Sequence, residues 1–150
     1  MIHLIPTLEK AFPFLHTRTA TEDDFFNLCN DRGVEVIFRP DAPQGVYVMA
    51  GGDHYIFLNS LLHGWMLRYV MFHEIAHYLF HSPSQSNFGI EFFNRHVKRK
   101  NHLEAEQVAA MLLLPIPELE NVLLCGAYLE YDELAELIAT RLQIHHDYRI

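Results

Sequence analysis

The sequence predicts an α+β protein in which a small antiparallel sheet of about three strands packs against a long helix and a C-terminal group of helices. Three observations support this prediction. Runs rich in β-branched and aromatic residues lie between residues 34 and 58, helical periodicity begins near residue 61, and prolines or glycines separate the segments. No internal repeat or low-complexity linker divides the 150 residues, so we expect one domain, residues 1–150.

The first predicted helix begins at a capping motif. Thr21 is followed three residues later by Asp24, which is the spacing of a capping box, and the helix is expected to end near Gly33. Residues 34–38 then read as a strand, because they are mostly β-branched or aromatic and stop before Pro40. The chain should therefore enter the sheet directly from this helix.

The other two predicted strands form a hairpin. Residues 45–49 and 54–58 are rich in β-branched and aromatic side chains, and they flank the pair Gly51 and Gly52. Glycines supply the positive φ angles that tight hairpin turns need. These strands complete the predicted sheet.

The remaining elements are helical. Residues 61–80 are free of proline and carry apolar side chains at roughly helical intervals, so they form the longest predicted helix. Residues 82–100 read as irregular. Asn101 is expected to cap a further helix that Pro115 stops, and a last helix is expected at residues 132–142.

Composition and charge exclude several classes of protein. The net charge of -8 argues against a phosphate-backbone binder, so no direct nucleic-acid contact is expected. No apolar stretch approaches the roughly 18 residues of a membrane span, and the N-terminus lacks a signal-peptide pattern. Cys29 and Cys125 are far apart and read as two buried thiols. We expect a cytoplasmic protein.

The strongest chemical motif is HExxH, formed by His73, Glu74 and His77. Residues four apart lie on one helical face, so both imidazoles can reach one Zn²⁺ at roughly 2.1 Å. Glu74 lies beside them as the candidate general base, because the ion lowers the pKa of bound water to about 7. Histidine accounts for 11 of the 150 residues, so the motif alone is weak evidence, but its place on a long helix after a strand strengthens it.

A catalytic zinc needs a third protein ligand. His81 is unsuitable because it lies about 12 Å of helix rise beyond His73. Glu104 is the main candidate, since a carboxylate on an otherwise apolar helix needs a cation or partner. Its alternative role is that of a capping-box partner at the start of the same helix. His96 and His102 are the fallback ligands, and His102 competes with Glu104 because the two cannot share one helical face.

Three segments together resemble a known family, the ImmA/IrrE-type metallopeptidases, which are gluzincin-like. These are residues 55–59 (YIFLN), residues 72–81 (FHEIAHYLFH) and residues 104–115 (EAEQVAAMLLLP). The resemblance implies a zincin-like fold, His73, His77 and Glu104 as metal ligands, and Glu74 as the catalytic base. Three positions depart from the family pattern: Ala76 replaces Gly, Glu106 replaces Asn, and Val108 replaces Phe.

The resemblance also implies a substrate, namely a separate helix-turn-helix repressor that the enzyme cleaves to relieve transcriptional repression in a phage, mobile element or stress response. We expect the edge of residues 55–58 to hold the peptide by β-augmentation. Zn²⁺ is the expected metal, with Mn²⁺ or Fe²⁺ as alternatives. Two other functions fit the sequence: a metal-stabilised module that sequesters a regulatory partner without cutting it, and a toxin–antitoxin component.

Overall fold

The computed structural model describes residues 1–82, 95–126 and 132–150. Its elements follow in the order helix, sheet, helices, which confirms the α+β prediction. They are a 3-10 turn Ile2–Leu4, α1 (Ile5–Ala11), α2 (Glu22–Arg32), β1 (Val34–Arg39), β2 (Gly45–Ala50), β3 (Asp53–Asn59), α3 (Gly64–His81), α4 (Arg95–Leu113), α5 (Ile116–Cys125) and α6 (Asp132–Tyr148). The aromatic segment expected around residues 88–93 lies outside the described residues.

Helix α2 has the predicted ends. The Thr21 hydroxyl accepts a hydrogen bond from the Asp24 backbone N–H, and the Asp24 carboxylate accepts one from the Thr21 N–H, so both halves of the capping box are present. Gly33 ends the helix with φ +70°, a left-handed conformation that a glycine adopts at little cost. The chain then passes directly into β1.

The sheet is mixed rather than fully antiparallel. Its strand order is β1-β3-β2, with β3 parallel to β1 and antiparallel to β2. The predicted hairpin of β2 and β3 is therefore confirmed. Strands β1 and β2 are consecutive in the chain but are not neighbours in the sheet, because β3 lies between them. Because β3 is paired on both sides, the expectation of a free edge at residues 55–58 was wrong. The edge strands are β1 and β2.

Helix α3 packs on the sheet and on α4, and its middle is buried. The aromatic ring of Phe72 lies in edge-to-face contact with Phe12 and Phe25, which joins α3 to the N-terminal segment. On α4, Ala105 and Ala109 are fully buried, so small side chains lie in the core beside the larger apolar ones. The core thus surrounds the HExxH segment on several sides.

Helix α4 begins earlier than predicted. It starts at Arg95, so Asn101 lies inside the helix and is not its N-cap. The alternative role of Glu104 as a capping-box partner is thereby excluded. The residues before Asn101 are mostly polar or basic, so they lack the apolar pattern that predicts a helix.

The C-terminal helices extend the core. Pro117 lies in the first turn of α5, and α6 continues to Tyr148, beyond the predicted end at residue 142. Arg141 on α6 is fully buried, and its guanidinium donates to the backbone carbonyls of Leu114 at 2.7 Å and Ile150 at 2.8 Å. This buried cation is satisfied by backbone oxygens, so it has a structural role.

The two cysteines differ in exposure. Cys29 is buried, and burial raises the pKa of its thiol to about 12. Cys125 at the end of α5 is exposed, so only one of the two thiols is buried as predicted.

Among the described helices, none alone has the length and apolar character to cross a membrane. Arg99–Leu113 and Ile116–Cys125 pass that test only as a pair bent by 82°.

Candidate metal centre

Helix α3 brings the first two predicted ligands together. His73 and His77 lie one turn apart, with their ring centroids 5.0 Å apart and their Nε2 atoms separated by 3.3 Å. His73 is buried and His77 is half-buried. Two imidazole nitrogens therefore face each other in a largely dry environment.

Both imidazoles are neutral at pH 7. Burial, followed by the nearby charges of His102 and His81, lowers the pKa of His73 to about 4. Burial, followed by the neighbouring histidines, lowers the pKa of His77 to about 3. Neutral imidazole is the form that binds a metal ion, so no proton has to be displaced from these side chains near neutral pH.

Glu74 lies beside the two histidines, roughly 100° around α3 from His73, and packs against β2. A Cβ atom added to Gly45 would lie 2.9 Å from Glu74 Cγ and 2.5 Å from Val70 Cγ1, so only glycine permits this approach of strand and helix. The Tyr47 backbone N–H donates to the Glu74 carboxylate. Burial raises the pKa of Glu74 to about 7, and the Tyr47 hydrogen bond opposes that rise. Glu74 can therefore gain or lose a proton near neutral pH.

Glu104 is connected to His77 through His81, which lies within hydrogen-bond distance of both. Glu104 Oε2 lies 2.9 Å from His81 Nε2, and His81 Nδ1 lies 3.0 Å from His77 Nδ1. The other Glu104 oxygen lies 3.6 Å from His3 Nε2 and 3.9 Å from Lys100 Nζ. His81 therefore contacts two of the predicted ligands, His77 and Glu104.

This chain of contacts can orient the ring of His77 through its Nδ1 atom. An ionised carboxylate only accepts hydrogen bonds, so His81 Nε2 donates to Glu104. When His81 is neutral, its Nδ1 accepts from the Nδ1–H of His77, which leaves His77 Nε2 with a free lone pair directed at His73. A ligand histidine held through its other ring nitrogen is the usual arrangement at metal sites.

His102 on α4 is the third donor that the structure brings closest to the pair. Its ring centroid lies 4.7 Å from that of His73, and the donor atoms of His73, His77 and His102 all lie within 4.8 Å of one another. His102 Nε2 also lies 3.3 Å from Glu106 Oε1. Glu104 does not belong to this group, so its role as a ligand stays a prediction, and the fallback His102 becomes its main rival. The side chain of His96 lies outside the described residues.

A metal ion fits this group of donors. His73 and His77 supply two neutral imidazoles with facing nitrogens, and His102 supplies a third imidazole within reach. Glu104, which contacts His81, adds a carboxylate nearby. Nitrogen and oxygen donors of this kind suit Zn²⁺.

Several parts of the site carried no readable signal in the sequence. Gly45 and Tyr47 act through backbone atoms, which leave no mark in a side-chain pattern. His81 was noticed, but its contact with Glu104 joins residues 23 positions apart. His102 carried a usable signal, because it precedes Glu104 on the same helix and was already a fallback ligand.

The structure thus places an HExxH helix beside the edge strand of a small sheet, with a buried glutamate next to two facing imidazoles. The family model Peptidase_M78, described as the IrrE N-terminal-like domain, matches residues 29–145. Because this match covers more than half of the chain, the protein belongs to that family, and the resemblance seen in the sequence is confirmed. No curated protein and no solved structure matches the chain significantly.

Proposed function

We propose that this protein is a zinc-dependent endopeptidase in which Glu74 is the general base. The observation that carries the proposal is the position of Glu74, a buried carboxylate between β2 and the two facing histidines of its own helix. A purely structural metal site has no use for such a base. Burial also brings the pKa of Glu74 to about 7, close to the value that suits a base at neutral pH.

His73 and His77 would hold the ion, with Glu104 as the third ligand that the family resemblance implies and His102 as the alternative. When bound, the ion supplies Lewis-acid activation of water and of the scissile carbonyl. Glu74 holds the proton that the attacking water loses and passes it to the leaving amine. The Tyr47 N–H stabilises the ionised form of Glu74, which is the form that accepts the proton.

Strand β2 is the proposed binding place for the substrate backbone. It is an edge strand, and it is the strand whose backbone contacts Glu74. An extended peptide that pairs with β2 would lie close to the base. This replaces β3, which is paired on both sides.

The proposed substrate is a helix-turn-helix transcriptional repressor, cleaved in the cytoplasm. This proposal rests on the ImmA/IrrE resemblance and on family membership. Zn²⁺ is the proposed ion, and Mn²⁺ and Fe²⁺ are the alternatives to compare with it.

The test uses Glu74→Gln, which keeps the shape of the side chain and removes its basicity. The zinc-loaded variant and the wild type are incubated with purified helix-turn-helix repressors from the same genome. Cleavage should fall by about 10²- to 10⁴-fold while zinc content stays equal. Glu120→Gln, an exposed change of the same charge on α5, is the matched control and should cleave normally. Undiminished cleavage by Glu74→Gln would remove Glu74 as the base.

A second function, metal-stabilised sequestration of a partner, has one observation in its favour. His73, His77, His102 and the nearby Glu104 offer as many donors as a closed structural zinc site needs. Under that function, the zinc-loaded wild type and Glu74→Gln would bind the repressor equally well and neither would cut it.

A further inference from the structure

A half-open cavity of about 480 Å³ lies beside the metal centre. It is enclosed by α3, α4, α6 and Gln44, the residue that precedes β2. None of its lining residues belongs to the HExxH motif. The cavity is larger than a single amino-acid side chain, so it has room for one that enters from a bound peptide.

The cavity is continuous with the proposed active site at three points. Tyr69 lies one helical turn before His73, and their ring centroids are 5.8 Å apart. Glu106 lines the cavity and also lies 3.3 Å from His102. Gln44 is joined to Gly45, which packs against Glu74. A peptide held along β2 would therefore bring a side chain next to the scissile bond up to this opening.

The chemistry of the lining favours a cation with a hydrocarbon stem. Glu106 and Glu136 line the cavity from α4 and α6, and no Lys or Arg is among its described lining residues. No described basic side chain forms an ion pair with Glu136. Met66 and Leu137 add apolar walls, and Tyr69 supplies a hydroxyl.

The charges of Glu106 and Glu136 both act on the Tyr69 hydroxyl. Burial raises the pKa of its hydroxyl to about 12, and the charges of Glu106, Glu136 and Glu74 add to that rise. Negative potential therefore converges in a partly buried space, where a charge acts more strongly than it does in bulk water. An acidic side chain would be repelled there, and a neutral one would leave Glu136 without an ion pair among the described residues.

We propose that this cavity is a specificity pocket that accepts a lysine or arginine side chain of the substrate beside the scissile bond, with Glu136 and Glu106 as its charge-reading residues. The inference rests on the proposed peptidase function for its role in cleavage. The binding preference of the cavity can be measured without cleavage.

The first measurement is binding of acetyl-arginine methylamide to the metal-free full chain, followed by nuclear magnetic resonance. Acetyl-citrulline methylamide is the matched probe, because it has nearly the same shape without the charge. The arginine probe should bind at least about tenfold more tightly, which is the effect of a charge-assisted hydrogen bond, and should shift the resonances of Tyr69 and Met66. Equal affinities, or shifts elsewhere on the surface, would overturn the proposal.

Variants show which residue causes the preference for arginine over citrulline. Glu136→Gln should reduce the ratio of arginine to citrulline affinity about tenfold, because it removes one of the two charges. Glu120→Gln carries the same change on an exposed position of α5 and should keep the full ratio. Glu136 is itself exposed, so its variant should fold normally. An unchanged ratio in Glu136→Gln would remove this residue from the pocket.

Cleavage of a synthetic library of randomised peptides by the zinc-loaded protein separates this inference from the proposed function. The expected result is Lys or Arg at one fixed position beside the cut bond, with the preference reduced in Glu136→Gln. Cleavage without that preference would overturn the pocket and leave the peptidase function standing. Selective arginine binding with no cleavage of the library or of the repressors would support the pocket and overturn the peptidase function.

Discussion

The two faces of helix α3 hold their functional groups in different ways. On the β2 face, Glu74 is confined by the backbone of Gly45 and Tyr47, and the approach is so close that a methyl group would not fit. On the α4 face, His73 and His77 meet the ends of long side chains from another helix. One face is built from backbone and the other from rotatable side chains.

The difference shows which parts of the site are fixed by the fold. The base is held by main-chain atoms, so its position follows from the pairing of β2 with β3. The third ligand depends on side-chain torsions: His102 lies within 4.8 Å of the two histidines, whereas Glu104 contacts His81 and would have to change its torsions to become a ligand. The β2 face should therefore respond to changes in backbone fit, whereas the α4 face should respond to changes in donor identity.

The largest effect is expected from removal of the third ligand on the α4 face. Glu104→Ala should weaken zinc binding by about 100-fold or more, which exceeds the usual loss of a partner that only orients a ligand. His102→Ala should weaken it by about tenfold or less. Competition with a zinc chelator, measured for both variants beside the wild type, gives the two affinities. The reverse order of effects would assign the third ligand to His102.

On the β2 face, Gly45→Ala should reduce cleavage by about ten- to 100-fold, because the added Cβ pushes β2 away from Glu74. The free energy of unfolding should fall by about 1–3 kcal/mol from overpacking, as measured by urea titration. Gly33→Ala is the control. It meets nothing within 4 Å but sits at φ +70°, so it should cost about 1–2 kcal/mol and leave cleavage by the folded protein unchanged. Equal cleavage by both variants would mean that close contact with β2 is unimportant for the base.

An intermediate effect is expected at His81. His81→Ala removes the hydrogen-bond partner of His77 Nδ1, so the His77 ring is held less firmly and zinc affinity should fall about tenfold. His16→Ala, an exposed histidine remote from the site, should leave the affinity unchanged. A loss at His81 as large as that in His77→Ala would show that His81 binds the ion itself.

The smallest effect is expected at the ion pair between Arg18, which precedes α2, and Asp24, whose carboxylate also accepts the capping-box hydrogen bond from Thr21. Hydrogen bonds from Arg18 hold the pKa of Asp24 below its usual value. The resulting stability is present above the unfolded-state pKa of about 3.9 and is lost as the pH falls through the lower folded-state pKa. At pH 7, Asp24→Asn should cost about 1 kcal/mol or less.

Denaturant titrations of Asp24→Asn and the wild type across the acidic range check this predicted pH dependence of stability. Their difference should be constant near neutral pH and should shrink below about pH 4, where Asp24 becomes protonated. A difference that grows on acidification would contradict the direction of the pKa shift.

Patterns within one element were sufficient for much of this fold. The spacing of Thr21 and Asp24 predicts the capping box, and Gly33 predicts the end of that helix. The spacing of His73 and His77 predicts two imidazoles on one helical face. Each of these is a contact between residues at most four positions apart or a local backbone preference, so neighbouring residues determine it. The family resemblance was readable for the same reason, because its motifs are short segments.

Other features needed the tertiary structure. The parallel pairing of β1 with β3 depends on where the chain runs between strands, and the sequences of these strands are compatible with either direction. The early start of α4 was not predicted because the residues before Asn101 are mostly polar or basic and lack an apolar pattern. The position of His102 beside His73, and of Glu104 beside His81, depends on how α3 and α4 pack. No local pattern records that packing.

The sequence by itself therefore determined the class of chemistry: an HExxH helix with Glu74 as the candidate base, within a recognisable family. Only the tertiary structure decided which groups surround that helix, including the backbone of β2 on one face, the rival donors of α4 on the other, and the acidic cavity beside them. The physical reason is the range of the contacts. Helical periodicity and capping act over a few residues, whereas burial, close approach and donor geometry arise when distant segments pack together.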